Sequence, residues 1–298
     1  MTTMDDRAAE NAAGELADYP LPAAKRALLV QRRGMDGAVA QVTLLGPGKG
    51  NAMGPDLFAE LPAVFGALDA DPSVRAVVLT GSGQHFCYGL DLATMAGELT
   101  RLGTEDGGLA GARTAMLRHV RALQRAIDAV AECRKPIAAA ISGWCVGGGV
   151  DLAAACDVRY ASGDARFSVR EVRVAIVADL GSLQRLPAII GDGHLRELAL
   201  TGRDIDAARA ERIGLVNDVL PDQTAAVARA HAFADEVAAN PPLVVQGVKE
   251  VLDAGRAAGI DAGLRYVAAW NAAFLPSHDL NEAMTAFLER RPPRYEGR

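Results

Sequence analysis

Residues 135–157 read KPIAAAISGWCVGGGVDLAAACD, and how this stretch is read decides the fold. After Lys135-Pro136, positions 137–142 are small, apolar and partly β-branched, the composition of a strand buried on both faces. Gly143, Gly147, Gly148 and Gly149 follow within seven positions, and a second apolar run over 150–156 carries one acid, Asp151, near its start. A strand, a glycine turn and a helix N-terminus together present backbone N–H groups to a negative charge. Glycine lets a ligand approach the main chain because no Cβ intervenes, and the helix dipole adds partial positive charge at the same place.

The spacing narrows the anion. Val150 and Asp151 follow the glycines where a phosphate-binding loop needs Lys and Ser or Thr, and the dinucleotide fingerprint is absent from the stretch. Gly143-Trp144-Cys145-Val146-Gly147 matches a nucleophile elbow with cysteine in place of serine, which leaves a cysteine-dependent hydrolase as a rival. A plain packing turn is the third possibility.

Outward from this stretch, composition sets the limits. The chain has 298 residues, half of them hydrophobic, and a net charge of −6, with only short basic clusters such as Arg32-Arg33 and Arg290-Arg291. Nothing in this suggests a nucleic-acid surface. Cys87, Cys133, Cys145 and Cys156 form no C-x-x-C pair, which fits reduced thiols in a cytoplasmic protein. No basic-then-apolar leader opens the chain, and its apolar runs are too short for a membrane span, so no membrane partner is expected.

Residues 1–24 are Ala-rich and polar and read as a mobile tail. Strands are expected over 27–31 and 39–45, joined as a hairpin, then a helix from Pro55 kinked at Pro62, and a parallel-type strand over 74–80. A glycine-rich, mobile segment is expected over 97–111, then a helix over 112–133. Beyond the central stretch the pattern gives short strands at 158–161 and 167–168, a helix near 181–186, a strand at 215–220, and three helices over 243–291. Strands alternating with helices argue for an α/β core, taken as 25–200, with a mainly helical region over 201–298.

Three acids stand in or beside apolar runs: Asp151, Glu171 in SVREVRVAIV, and Asp179 in VAIVADLGSL. Each has a structural alternative. Asp151 would favour the first turn of its helix, Asp179 would cap the helix begun by Leu180, and Glu171 would pair with Arg170 or Arg173. Carboxyl groups brought together around one anion hole raise one another's pKa, which supplies protonated and ionised partners near neutral pH. The five histidines show no paired-ligand spacing, and no metal is assigned.

Gly147-Gly148-Gly149-Val150-Asp151-Leu152, then Ala155-Cys156-Asp157-Val158-Arg159-Tyr160, and Glu171-Val172 through Ala178-Asp179 to Leu183-Gln184-Arg185-Leu186-Pro187, resemble the crotonase (enoyl-CoA hydratase/isomerase) superfamily. The resemblance runs from about residue 27 to the C-terminus. Within the superfamily these residues, with Tyr266-Val267-Ala268-Ala269-Trp270-Asn271, are most similar to the dienoyl-CoA isomerase branch. In ordinary hydratases of the family the position matching Asp151 is a glutamate and that matching Asp179 is usually not acidic.

The resemblance implies a crotonase-type spiral of ββα units with a C-terminal helical region, assembled as a homotrimer or homohexamer. It implies a fatty acyl thioester of coenzyme A as substrate, with no cofactor beyond the CoA that the substrate carries. It also implies an oxyanion hole from the backbone N–H groups of Leu90 and Gly148, and catalysis by Asp151, Glu171 and Asp179. The expected reaction converts a 3,5-dienoyl-CoA to a 2,4-dienoyl-CoA. An enoyl-CoA hydratase is the nearest alternative and a non-catalytic acyl-CoA-binding protein a further one. The C-terminus, Glu296-Gly297-Arg298, differs from a peroxisomal address.

Overall fold

The structure, a computed structural model, describes residues 16–21, 26–33, 37–46, 50–95, 108–174, 176–258 and 278–298. Apolar periodicity becomes layers in a seven-stranded sheet. Its first strands are β1 (Leu16–Asp18), β2 (Leu28–Arg33) and β3 (Val39–Leu44), paired antiparallel. Then come β4 (Ala76–Gly81), β5 (Ile137–Ile141), β7 (Val158–Ser162) and β10 (Asp218–Leu220), each parallel to the strand before it in the sheet.

The parallel strands need crossovers, which the helices supply. α1 (Pro55–Ala70) links β3 to β4, and α2 (Gly108–Ala131) precedes β5. β6 (Trp144–Val146) and α3 (Gly148–Ala154) lie between β5 and β7. β6 joins β8 (Arg166–Ser168) and β9 (Ile205–Asp206) in a second, three-stranded sheet. The arrangement is the α/β spiral expected from the sequence.

Side-chain alternation divides the large sheet into two faces. Val77, Leu79, Ile137, Ala139 and Ile141 face one core with Leu57, Leu61, Val64, Phe65 and Leu68 of α1. Ala76, Val78, Ala138, Ala140 and Tyr160 face the other, where α8 (Gln223–Ala238) lays Ala230 and Ala234 on them. Alanine on both sides of that contact lets the helix approach the sheet closely.

Short helices α4 (Ser182–Arg185), α5 (Pro187–Ile190), α6 (Asp192–Thr201) and α7 (Ala207–Arg212) follow the small sheet's second strand. α9 (Pro242–Ala258) and α10 (His278–Glu289) belong to the C-terminal region, and α9 is tied to the body by Lys249 Nζ on Asp157 Oδ2 at 2.9 Å.

Several expectations change. Part of the proposed mobile tail is a strand, because Leu16, Ala17 and Asp18 pair with Arg33, Arg32 and Gln31 and give the edge of β2 a backbone partner. Gly108–Gly111, assigned to a glycine-rich segment, already belong to α2. The strand expected at 215–220 is confined to Asp218–Leu220, where its partner Tyr160–Ser162 ends. The rest of the glycine-rich segment over 97–107, most of the tail, and the Tyr266–Asn271 motif lie outside the described residues.

Candidate active site

The central glycines place backbone donors, as their spacing suggested. Gly147 has φ +53°, a left-handed conformation that favours glycine, and α3 begins at the next residue. The first N–H of a helix has no intrahelical acceptor, and among the described residues the N–H of Gly148 finds none elsewhere.

The second donor comes from the loop after β4. Cys87 N–H donates to Trp144 O at 3.0 Å, and Val146 N–H donates to Cys87 O at 3.0 Å, which pins this loop along β6. Gly89 then turns with φ +80°, its N–H donating to Cys87 Sγ at 3.4 Å. A Cβ on Gly89 would lie 2.7 Å from Val146 O and 3.2 Å from Gly148 N, so only glycine brings the two segments this close. Met53 N–H donates to Gly89 O at 2.8 Å, and Asp91 N–H to Met53 O at 3.0 Å. Leu90 N–H, between them, has no acceptor among the described residues. The two predicted donors are therefore adjacent, and neither is spent on an acceptor among the described residues.

The acids surround this turn. Asp151, in the first turn of α3, is 1% exposed. Its Oδ1 accepts the Ser182 N–H at 2.5 Å, joining α3 to the start of α4, while Oδ2 is buried with no partner among the described residues. Burial, reinforced by the charge of Asp179, pushes its carboxyl up to about 6 against the opposing Ser182 bond and Arg185.

Glu171 begins a 3-10 turn (Glu171–Val174) after β8. The Cβ position on Gly147 lies 3.5 Å from its Oε1, so the carboxyl sits over the glycine turn. Its Oε2 is buried and unpartnered among the described residues. Burial chiefly, with Asp151 and Asp179 adding like charge, raises it to about 7. Asp179 is exposed as a residue but partly desolvated at its carboxyl, which is raised, with His119 opposing. Its carbonyl accepts Gln124 Nε2 of α2 at 2.8 Å.

The structural alternatives for two acids fail. Arg170 pairs with Asp204, and among the described residues no ion pair joins Glu171 to Arg170 or Arg173. The N-cap of α4 is Gly181, with no side-chain cap, so Asp179 does not cap it. Asp151 does lie in its helix's first turn, but its carboxyl is buried and bonded to another element.

The cysteine elbow is overturned. An elbow nucleophile stands exposed at a strand-to-helix turn, whereas Cys145 is the middle residue of β6 with 0% exposure. Burial raises its thiol well above the ordinary value, the opposite of an activated thiolate. All four cysteines are free and buried.

Sequence reasoning missed Met53, whose chain bridges Leu90 and whose Sδ would meet a Cβ on Gly148 at 2.8 Å, and Ser182. Neither carries a local signal, since each acts through a partner distant in sequence. Among the described residues no three His, Cys, Asp or Glu side chains are grouped to hold a metal ion, and no helix is long and apolar enough to cross a membrane. A cavity of about 330 Å³ opens beside the Leu90 loop, lined in part by Arg26, Leu45, Gly54, Pro55, Asp91 and Thr94. A larger one of about 770 Å³ lies at the far end of α3 and includes none of the five predicted residues.

Two unspent N–H donors beside three carboxyl groups, two of them poised near neutrality, suit proton transfer at carbon next to a carbonyl whose oxygen becomes an anion. The chain is also similar to known proteins. Residues 34–298 match the family described as Enoyl-CoA hydratase/isomerase. A protein of Arabidopsis thaliana named Delta(3,5)-Delta(2,4)-dienoyl-CoA isomerase, peroxisomal, is 42% identical over 91% of this chain and 97% of its own. The mitochondrial protein of that name from Dictyostelium discoideum is 42% identical over 87% of each chain. The solved enoyl-CoA hydratase of Bacillus anthracis superposes with a TM-score of 0.81 at 30% identity, covering 91% of this chain and 100% of its own.

Proposed function

The chain belongs to the enoyl-CoA hydratase/isomerase (crotonase) family and is an acyl-CoA enzyme, and from that premise we propose that it isomerises 3,5-dienoyl-CoA to 2,4-dienoyl-CoA. The observation that carries the finer reading is Asp179, a third acid that shares its field with Glu171 and Asp151 and has no capping role.

The geometry supports the following chemistry. A proton beside a thioester is removable only when the enolate oxygen is stabilised, and the Leu90 and Gly148 N–H groups are the donors for it. Each is worth about 10²–10³ in rate. One of Glu171 and Asp179, ionised, takes a proton from C2 of the chain, and electron density spreads along the diene. The other, protonated, delivers a proton at C6. The proton count of substrate and product is equal, and the two carboxyl groups are reset by exchange with solvent. Asp151, held by Ser182, keeps a partly protonated acid beside Glu171 and orients it. The group requires no metal or redox chemistry, and coenzyme A enters as part of the substrate.

Water addition to a 2-enoyl-CoA is the second reading. It is favoured by the Glu171–Asp151 pair, which would activate water equally well, and by the likeness to a hydratase structure. Asp179→Asn separates the two. It keeps the side-chain shape and removes the proton carrier, so dienoyl isomerisation should fall at least about 10²-fold. Binding of acyl-CoA analogues should hold, because the oxyanion donors are untouched. Near-wild-type isomerisation in the folded variant would remove Asp179 from the chemistry.

A further inference from the structure

Glu171 follows directly on an arginine whose position is fixed from two sides. The Arg170 guanidinium carbon lies 5.2 Å from the centre of the Trp144 ring, within cation–π range. Its Nη2 donates to Asp204 Oδ1 at 2.7 Å. Trp144 belongs to β6, Asp204 immediately precedes β9, and Arg170 lies just past β8, so the arrangement gathers one strand of the small sheet and the segments flanking the other two.

We propose that Trp144 and Asp204 clamp Arg170 as a positioning residue, which holds a fixed positive charge beside Glu171 without bonding to it. The inference rests on Glu171 as a proton-transfer group, common to the isomerase and hydratase readings. A direct Arg170–Glu171 ion pair would occupy the carboxyl oxygens and hold them ionised. With its Nη2 on Asp204, Arg170 leaves Glu171 Oε2, and its own buried Nε, without a protein partner among the described residues. The planar, always-charged guanidinium can lie flat on the ring and fork onto the carboxylate, whereas an ammonium keeps the charge without the planar stacking.

The electrostatics agree in sign. The charged groups acting on Glu171 are Asp151 from α3 and Asp179 from the loop before α4, both raising its pKa, and Arg170, which opposes them. Arg185 acts on Asp151 and His119 on Asp179, each in the lowering sense. Arg170, the smallest of these influences, is a cation that opposes the drive of the Glu171 carboxyl toward its neutral form. Trp144 and Arg170, with Tyr88 and Val146, also line an open cavity of about 310 Å³, so the clamp stands at the surface and not in a sealed core.

The test follows the Glu171 carboxyl by carbon NMR titration, its signal identified by its disappearance in Glu171→Gln. It is measured in wild type, Arg170→Met, Arg170→Lys and Trp144→Leu. Arg170→Met should move the midpoint upward. Trp144→Leu should move it the same way by less, and Arg170→Lys should restore most of the wild-type value. The limb of the pH–rate profile assigned to Glu171 should move in parallel, with whichever of 3,5-dienoyl-CoA or 2-enoyl-CoA is turned over. An unmoved midpoint in folded Arg170→Met or Trp144→Leu would make the clamp a purely structural contact. Lack of isomerisation with retained hydration would overturn the isomerase reading and leave this one standing.

Discussion

Asp151 and Glu171 each bury a carboxyl oxygen that no protein donor reaches among the described residues, an arrangement with a thermodynamic consequence. A carboxyl raised from about 4 toward 6 or 7 binds more protons in the folded state than in the unfolded chain between those values. Its contribution to stability is therefore fully present at low pH and is lost as pH rises through the folded pKa. Asp151→Asn keeps an oxygen for the Ser182 N–H and removes the charge. It should stabilise the protein at pH 8 by on the order of 3 kcal/mol for the two-unit shift, read as a higher melting temperature, and change stability little near pH 4, while turnover falls. Thermal melts at the two pH values check this, and equal differences at both would contradict it. The acids were legible in the sequence because a charge in an apolar run is conspicuous. That Asp179 is no helix cap was not, since choosing between Asp179 and Gly181 as the boundary takes the backbone angles of one turn.

At the scale of elements, the oxyanion turn depends on two glycines with different neighbours. A Cβ on Gly89 would press on backbone, Val146 O at 2.7 Å, in a left-handed conformation, whereas a Cβ on Gly148 would meet the flexible end of Met53 at 2.8 Å. Gly89→Ala should therefore weaken acyl-CoA analogue binding more than Gly148→Ala does, and Gly148→Val should abolish turnover. Met53→Ala should restore part of what Gly148→Ala loses. Calorimetric affinities across the set test this ordering, and a Gly148→Val variant that binds and turns over like wild type would reduce the glycines to a packing turn. The long strands and helices were legible because two-residue and helical periodicities survive in the sequence. β6 was not, because three residues between glycine turns carry no period, and its partners Cys87 and Arg166–Ser168 are reached only through the fold. The same blind spot produced the cysteine elbow, which counts glycines correctly but mistakes the middle of a strand for a turn.

Over the whole molecule, the spiral brings segments from residues 53, 90, 148, 171 and 179 to one corner, and their convergence is the functional statement that the fold makes. The alternation of strands and helices made the α/β class readable, and the motifs from Gly147 to Pro187 made the family readable. The pairing of Leu16–Asp18 was hidden because an edge strand of three residues depends on its neighbour and not on its own composition. The central claim is that this corner moves protons along a diene and does not add water to a single double bond. The most direct measurement is the ultraviolet absorbance of the conjugated 2,4-dienoyl product when the wild-type enzyme meets 3,5-dienoyl-CoA, with a 2-enoyl-CoA hydration assay alongside. The account predicts rapid growth of the 2,4-diene signal, lost in Asp179→Asn, and turnover of 3,5-dienoyl-CoA well above that of 2-enoyl-CoA. Rapid hydration of 2-enoyl-CoA with no 2,4-diene formed would contradict it.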